Sequence, residues 1–138
     1  AEERQNGFLD GLEDAGIPVD ESLIFRGDYK SSSAYKMTKQ MMELKDQPTA
    51  VITCNNSLSK GFLKAIYEAG KSIQDDYTHI GLDKIEMLNI LSIPYNHIDR
   101  DSYELGKRAV EILINRIAFP ETKLQHVVIE PELKLQTF

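Results

Sequence analysis

The sequence predicts an α/β fold in which a parallel sheet is flanked by helices on both faces. Short apolar runs, typical of buried strands, alternate with longer segments in which apolar residues recur at helical spacing. The connections between these segments are short, and no internal repeat or low-complexity linker interrupts them. Such alternation favours parallel strands joined by helical crossovers. With 138 residues, the chain is about one domain long.

Composition narrows the class of protein. Apolar residues make up 41% of the chain, which is enough for a hydrophobic core. The formal net charge is −6 and no Lys/Arg cluster is present, so we expect no direct contact with nucleic acid or with an anionic membrane. The single cysteine excludes an internal disulfide and fits a reducing, cytoplasmic compartment. No stretch approaches the ~18 apolar residues of a membrane-spanning helix.

The first third of the chain predicts two helices and two strands. Residues 2–15 form a helix that ends at Gly16. A short strand is predicted at Leu23–Phe25, and Ser31–Ser33 offer N-caps for a second helix. The residues that this helix turns inward are Ala34, Met37, Met41 and Leu44. Residues 49–53, TAVIT, are the next strand.

The rest of the chain continues the alternation. A helix with a strong apolar periodicity runs from Leu58 to Ala69 and is capped by Gly70. The remaining predicted elements are a strand at residues 77–83, a short helix at Ile85–Leu91, a strand at residues 94–99, the longest helix at Tyr103–Phe119, and two short closing strands within residues 125–138, broken at Pro131.

Polar side chains follow every predicted strand before the closing segment. They are Arg26, Asp28 and Tyr29, then Asn55 and Asn56, then Asp83, and finally Asp99, Arg100 and Asp101. In open parallel sheets, ligands bind beyond the carboxyl ends of the strands. Amides and carboxylates exchange hydrogen bonds with hydroxyls, and an aromatic face covers a sugar or a base, so a pocket for a small polar ligand is indicated. For Asn55 and Asn56 the alternative is a structural role as N-cap and turn residues.

Other motifs are weaker evidence of chemistry. The segment AIYEAGKS, residues 65–72, fits a loose phosphate-loop pattern, but it falls at a helix end instead of between a strand and a helix. Cys54 has no nucleophile elbow around it and reads as a small buried hydrophobe. His79, His97 and His126 share no metal-ligand spacing, and packed or sheet-facing positions are the expectation for them. We therefore expect no metal, no cofactor and no enzymatic activity.

Six segments, in a specific order and spacing, carry a family resemblance. They are RQNGFLDGLEDAGI, LIFRGDYKSSSAY, QPTAVITCNNSLSKGFLKAIYEAG, THIGLDKIE, DSYELGKRAVEILINRI and VVIEPELKLQ. In these segments the chain resembles the C-terminal effector-binding part of a lactose-repressor-type (LacI/GalR family) transcription regulator. The closing motif and the helix around Gly106 favour repressors over the periplasmic sugar-binding proteins of the same fold. Those sugar-binding proteins remain the alternative.

The resemblance implies a periplasmic-binding-protein-like fold of type I and a division of the chain. Residues 1–98 would form the C-terminal subdomain of the effector-binding domain. Residues 99–120 would cross to the N-terminal subdomain and supply one of its helices, and residues 121–138 would return as closing strands. A DNA-binding headpiece and most of the N-terminal subdomain are not represented, so operator DNA would be bound only through a headpiece outside this chain.

The resemblance also implies which residues hold a small-molecule effector. Arg4 matches the family's gripping Arg, four residues before the aromatic Phe8, and Tyr29 matches the aromatic after the Gly-Asp pair. Asn55 matches the Asn at the strand exit, and Asp83 matches the Asp after the Gly-x pair. In relatives such side chains hold the hydroxyls of a sugar or the edge of a purine, so the expected effector is sugar-like or nucleoside-like.

Neighbouring positions would shape the rim of this site. The candidates for a supporting role are Phe8, Asn56, Lys84 and Arg100. Asn56 and Lys84 depart from the acidic or polar residues that the family commonly carries there, which makes the rim less negative.

The family positions of the subunit contact fall on Lys60, Lys64, Met87 and Leu91, so a homodimer is expected. Met87 and Leu91 lie one helical turn apart and would form a single ridge, which a two-fold interface would pair with its own copy.

The helix Tyr103–Phe119 is predicted to need an apolar partner. Its stripe consists of Leu105, Ala109, Ile112, Leu113 and Ile117. Leaving four or five such side chains in water forgoes several kcal/mol, at roughly 1.5–3 kcal/mol for each large one. We expect exchange or symmetric docking with a second copy, whereas folding back onto its own sheet and fraying are the alternatives.

Overall fold

The computed structural model describes residues 2–136. Its helices are α1 (Glu2–Asp14), α2 (Ser31–Met42), α3 (Asn56–Glu68), α4 (Glu86–Ile90) and α5 (Ser102–Ala118), with a 3-10 turn at Glu21–Leu23. Its strands are β1 (Ala50–Thr53), β2 (Thr78–Leu82), β3 (Asn96–Asp99) and β4 (Glu132–Lys134). The described helices and the first three strands lie close to where their sequence periodicity predicts them.

The strands form one sheet in the order β1-β2-β3-β4. The first three strands are parallel, with Ile52 opposite Ile80 and Ile80 opposite Asn96. Strand β4 runs antiparallel to β3, with Leu133 opposite Ile98. The sheet is therefore mixed and mostly parallel. The antiparallel β4 departs from the purely parallel sheet that the sequence predicts, and α5, which precedes it in the chain, buries no residue.

Helices α2 and α3 form the packed layer on one face of the sheet. Gly61 lets these helices touch, because a Cβ at this position would lie 2.7 Å from Ala34 Cβ and would collide with the Ser31 carbonyl. Below them, Phe62 and Ile66 of α3 are fully buried. The core cluster around them is completed by Met41, Leu63, Ile73, Tyr77, Ile85, Leu88 and Tyr95. This layer fixes the start of α3, which matters for the candidate site.

Two glycine caps confirm the predicted helix ends. Gly16 and Gly70 have φ of +67° and +72°, the left-handed conformation that suits a residue just after a helix. Because α3 ends at Glu68 and Gly70 follows as its cap, residues 65–72 belong to a helix end. The rejection of a phosphate loop there is consistent with this geometry.

The predicted strand at Leu23–Phe25 is wrong. Asp20 begins a 3-10 turn instead, since its carboxylate accepts the Ser22 N–H at 2.9 Å and the Ser22 hydroxyl at 2.6 Å. Ile24 does have extended backbone, with φ −101° and ψ 98°. Among the described residues no strand pairs with it, and a strand requires a hydrogen-bonded neighbour.

The predicted serine caps of α2 are also wrong. Lys30 occupies the N-cap position and makes no side-chain capping bond, so Ser31–Ser33 already lie inside the helix. The turn before it is closed by Asp28, whose carboxylate accepts the Lys30 N–H at 3.1 Å. A sequence with three serines in a row offers several equivalent cap positions, and the Asp28 turn selects an earlier one.

The closing segment contains one strand among its described residues, not two. Only Glu132–Lys134 pairs with the sheet, whereas residues 126–130 run without a strand partner. Thr137 and Phe138, the last residues of the predicted second strand, lie outside the described residues. Gln136 is nevertheless tied to the sheet, because its N–H donates to Asn96 Oδ1 at 2.8 Å.

Helix α5 does not fold back onto its own sheet. Leu105, Leu113 and Ile117 are 55%, 57% and 71% exposed, and only Ile112 of the predicted stripe is half-buried. The folding-back alternative is therefore wrong for the described chain, and a cover from a second chain stays a prediction. None of the helices within residues 2–136 is long and apolar enough to cross a membrane.

Candidate functional site

Three of the four predicted ligand residues meet where β1 ends. Arg4, in the first turn of α1, donates from Nη1 to the backbone carbonyl of Cys54 at 2.6 Å. Asn55 follows directly, and its Nδ2 lies 3.5 Å from the backbone carbonyl of Tyr29. Phe8 lies one turn beyond Arg4 on α1 and is 38% exposed. The structure thus brings Arg4, Tyr29 and Asn55 to one edge of the sheet.

Asn55 is also the N-cap of α3. Its Oδ1 accepts the N–H of Leu58 at 2.7 Å, which satisfies one of the free N–H groups at the start of the helix. The structural alternative for Asn55 is therefore confirmed. The carboxamide oxygen is used by the helix, and Nδ2 is the atom that remains for a ligand.

Tyr29 and Asp83 both have left-handed backbone, with φ of 62° and 76°. This conformation is uncommon for residues other than glycine and costs of order 1–3 kcal/mol. At Asp83 it is fixed by the sheet, because the Asp83 N–H donates to the Ile98 carbonyl at 3.0 Å, one step beyond the β2–β3 ladder. Such strained residues are concentrated at ligand sites, and both of these occupy predicted ligand positions.

Asp83 is held by Arg100 from the connection between β3 and α5. Arg100 Nε donates to Asp83 Oδ1 and Nη2 donates to Oδ2, both at 2.6 Å. This hydrogen bonding raises the pKa of the Arg100 guanidinium above its usual value. The side chains are 48% and 27% exposed, so the pair is open to solvent. A bidentate pair of this kind fixes the orientation of the carboxylate.

Asn56 joins the two parts of the site. It is the first residue of α3, and its Nδ2 lies 3.4 Å from the backbone carbonyl of Lys84. Its Oδ1 is buried and has no hydrogen-bond partner among the described residues. An unpaired buried acceptor costs about 1–3 kcal/mol, so a donor placed there by a ligand or by water would be favourable.

A depression of about 580 Å³ opens beside Asp83. Its positive charges are Lys84 and Arg100, and Asn56 and Ser102 add polar groups. Its carboxylates are Asp83, Glu86, Asp99, Asp101, Glu130 and Glu132. Arg4, Tyr29 and Asn55 do not line it. The structure therefore places Asp83, with Asn56, Lys84 and Arg100, in the depression, and places the other three ligand candidates at the adjoining exit of β1.

Behind the β1 exit lies a buried polar network. Ser59 Oγ donates to the Asn55 carbonyl at 3.1 Å and accepts from the Tyr95 hydroxyl at 3.0 Å. Thr53 Oγ1 lies 2.7 Å from Ser59 Oγ and 3.0 Å from His79 Nε2. If each hydroxyl group donates its proton within this network, Nε2 of His79 must donate to Thr53 Oγ1. Nδ1 of His79 is then an acceptor, and it has no hydrogen-bond partner in the described part.

Burial lowers the pKa of His79 to about 4. The ring is therefore neutral at pH 7, and it stacks on Phe62 with centroids 4.6 Å apart. The sequence indicates a packed His79, which is correct. It does not indicate the network, because His79 and Tyr95 are far in the chain from Thr53 and Ser59. The only local signal is the polar pair Thr53 and Ser59 around the β1–α3 junction.

The predicted subunit-contact residues lie at the surface. Met87 and Leu91 are 60% and 59% exposed, and the Leu91 N–H donates to the Met87 carbonyl at 3.0 Å, so the two side chains follow each other at helical spacing. Lys60 is exposed, and Lys64 lies 3.8 Å from Glu68 within α3. Dimer formation by these residues stays a prediction.

Within residues 2–136 no group of His, Cys, Asp and Glu side chains has the arrangement of a metal site. Cys54 is half-buried at the β1 exit. The predicted ligand residues Arg4, Tyr29, Asn55 and Asp83 supply guanidinium, aromatic, amide and carboxylate groups, which form hydrogen bonds and stacking contacts.

Comparison with known proteins assigns the family. A family model for the periplasmic binding protein-like domain matches residues 1–136, almost the whole chain. The chain belongs to the periplasmic binding protein-like domain family. Its relatives in this family are PurR and LacI-family transcriptional regulators, which confirms the resemblance noted from the six sequence segments.

Particular relatives show how much of such a regulator is present. The HTH-type transcriptional repressor PurR of Mannheimia succiniciproducens is 31% identical to this periplasmic binding protein-like chain over 136 residues, which is 99% of the chain and 41% of PurR. A LacI family transcriptional regulator from Enterococcus faecium, solved with bound ribose, is 28% identical with a TM-score of 0.85, over 95% of this chain and 48% of that one. A LacI family regulatory protein from Chloroflexus aggregans is 27% identical with a TM-score of 0.84, over 94% and 47%. The chain thus spans less than half of the length of these relatives.

Proposed function

We propose that this chain is the effector-sensing and dimerising part of a transcription regulator of the repressor type named among its relatives. The observation that carries the proposal is the convergence of Arg4, Tyr29 and Asn55 at the carboxyl edge of β1, next to the depression that contains Asp83. These residues offer donors, acceptors and an aromatic face, and no side-chain group in the described part has the arrangement of a metal site. Such a set binds a ligand and does not transform it.

The proposed ligand is a small polar molecule, either a sugar or a nucleoside or purine. Hydroxyl groups both donate and accept, so they match the Nδ2 of Asn55, the unpaired Oδ1 of Asn56 and the carboxylate of Asp83. The half-exposed ring of Tyr29 would cover one apolar face of the ligand. The ribose bound by the relative from Enterococcus faecium is in line with this class.

We further propose that residues 1–98 are the C-terminal subdomain, that residues 99–120 cross to an N-terminal subdomain, and that residues 121–138 return. The exposed stripe of α5 supports this division, because that helix buries no residue against the described sheet. The ligand would then lie in the cleft between two subdomains, and its closure would bias the geometry of a DNA-binding headpiece outside this chain. A regulator of this kind works in the cytoplasm and contacts operator DNA through that headpiece alone.

The subunit contact is proposed to be a two-fold interface formed by α3 and α4, with the ridge of Met87 and Leu91 at its centre. Both side chains are exposed and apolar, and Lys60 and Lys64 are exposed on α3. The stripe of α5 would be covered either by the N-terminal subdomain or, in the isolated chain, by exchange with a second copy.

Ligand titration tests the proposal. D-ribose and, separately, hypoxanthine are added to the ¹⁵N-labelled chain up to about 10 mM, a range in which even weak complexes with Kd near 1 mM are more than half saturated. We expect one of them to shift the amide signals of Arg4, Tyr29, Asn55 and Asp83. The variant Asp83→Asn should weaken binding, whereas Asp10→Asn on the exposed side of α1 should not. Shifts confined to other surfaces would contradict the assignment of the site.

A further inference from the structure

The pair formed by Asp83 and Arg100 links two parts of the chain that both line the depression. Asp83 follows β2, and Arg100 lies in the two-residue connection between β3 and α5. The guanidinium grips the carboxylate side-on through Nε and Nη2, at 2.6 Å each. Arg100 therefore sets where the Asp83 oxygens lie relative to the rest of the lining.

The contact leaves hydrogen-bonding capacity on both partners. An Arg side chain carries five N–H groups, and a side-on contact uses one at Nε and one at Nη2. Each carboxylate oxygen of Asp83 accepts one bond from Arg100 and retains a second acceptor site. Because the side chains are 48% and 27% exposed, these groups are accessible. The pair thus presents acceptors and donors side by side, with no net charge.

The charges around the pair make this neutrality important. The depression is lined by five further carboxylates, those of Glu86, Asp99, Asp101, Glu130 and Glu132, and by only one other cation, Lys84. Without Arg100, the Asp83 carboxylate would join an acidic surface that attracts cations. With Arg100 in place, a cation that approaches Asp83 is repelled by the guanidinium that is bonded to the Asp83 carboxylate.

We propose that Arg100 is a positioning and selectivity residue for Asp83: it fixes the carboxylate and makes this wall of the site suit a neutral, hydroxyl-bearing ligand while it excludes cations. A ligand hydroxyl donates to Asp83 and accepts from Arg100 at once, whereas a cation can use Asp83 only. This inference rests on the proposed function, since it takes Asp83 to be a ligand residue.

Cation binding tests the charge role without knowledge of the effector. Mn²⁺ is titrated into the ¹⁵N-labelled chain, and the broadening of the Asp83 and Asp99 amide signals is followed. We expect Arg100→Gln to reach half-broadening at a tenfold or more lower Mn²⁺ concentration than the wild type. Arg108→Gln, which removes a similarly exposed cation paired with Glu111 on α5, should behave as the wild type does. The double variant Asp83→Asn with Arg100→Gln should lose the gain.

The conservative variant Arg100→Lys separates charge from positioning. Lys keeps the charge but lacks the planar fork, so it should exclude Mn²⁺ as the wild type does. It should still release the backbone of Asp83, whose N–H is bonded to Ile98. We therefore expect amide hydrogen exchange at Asp83 to be up to about fivefold faster in both Arg100 variants, which corresponds to about 1 kcal/mol, the upper end for a solvent-exposed ion pair.

Each outcome decides one part of the proposal. Equal Mn²⁺ sensitivity of the wild type and Arg100→Gln would overturn the selectivity role, and unchanged exchange at Asp83 in both variants would overturn the positioning role. If D-ribose and hypoxanthine both fail to bind the wild type while these two measurements behave as expected, the ligand class of the proposed function fails, and with it the preference for a hydroxyl-bearing ligand; the positioning of Asp83 and the exclusion of cations by Arg100 then stand alone.

Discussion

The buried His79 predicts a specific loss of stability in mild acid. Burial lowers the pKa of His79 to about 4 from the ordinary value of 6.5. Between these two values the unfolded chain binds a proton that the native chain does not, so the free energy of unfolding falls as the pH falls through this window. At 1.36 kcal/mol for each unit, the full window is worth about 3 kcal/mol. A domain of this size has about 5–15 kcal/mol in total.

The surroundings of the ring make this loss difficult to avoid. His79 faces Phe62, Thr53 and Tyr95, and burial raises the pKa of Tyr95, so that no negative charge forms near the ring in mild acid. A proton on Nδ1 would have no acceptor among the described residues. Protonation of His79 is therefore disfavoured in the folded state and favours unfolding.

Urea unfolding followed by circular dichroism at intervals between pH 7.5 and 4.5 measures the effect. His79→Gln removes the titration while keeping a side-chain donor for Thr53, so its free energy of unfolding should fall less steeply than that of the wild type below pH 6.5. His126→Gln, at an exposed histidine, is the matched control and should keep the wild-type slope. Parallel pH profiles for the wild type and His79→Gln would refute the reasoning.

Three further substitutions have defined outcomes. Asn55→Ala removes the cap of α3 and should cost about 1 kcal/mol in urea unfolding, with Asn89→Ala on the exposed side of α4 as a near-neutral control. Gly81→Ala places a methyl group about 2.6 Å from Tyr95 Cζ, and this overpacking should lower the free energy of unfolding by about 1–3 kcal/mol or more. A free energy of unfolding equal to that of the wild type would contradict the packing. Replacing both Met87 and Leu91 with Glu should give a monomer in analytical sedimentation, and an unchanged oligomer would contradict the proposed interface.

Much of the fold could be predicted because it depends on local patterns. The apolar periodicity of α3 and the left-handed cap at Gly70 depend on residues within a few positions of one another. The predicted strand at Leu23–Phe25 fails because a strand depends on a partner that the local sequence does not contain. The antiparallel direction of β4 likewise depends on its pairing with β3, which the local sequence of β4 does not reveal.

The site was predictable in position but not in detail. Strand exits and the family resemblance single out Asn55 and Asp83, yet the commitment of the Asn55 oxygen to Leu58 requires the φ and ψ of the cap. The grip of Arg100 on Asp83 joins positions 17 residues apart and follows from the alignment of β2 with β3. Contacts of this kind depend on the pairing of strands that are distant in the sequence, which local sequence patterns do not contain.

Strand β1 lies at one end of the sheet order, so among the described residues one row of its peptide groups has no strand beside it. Its residues, Ala50–Thr53, include no charge and no proline, and Ile52 is 47% exposed. Unpaired strand edges pair with strands of other chains, so we expect edge-to-edge association of the isolated chain at high concentration. Ile52→Lys would place a charge on that exposed surface and should raise the protein concentration at which turbidity appears.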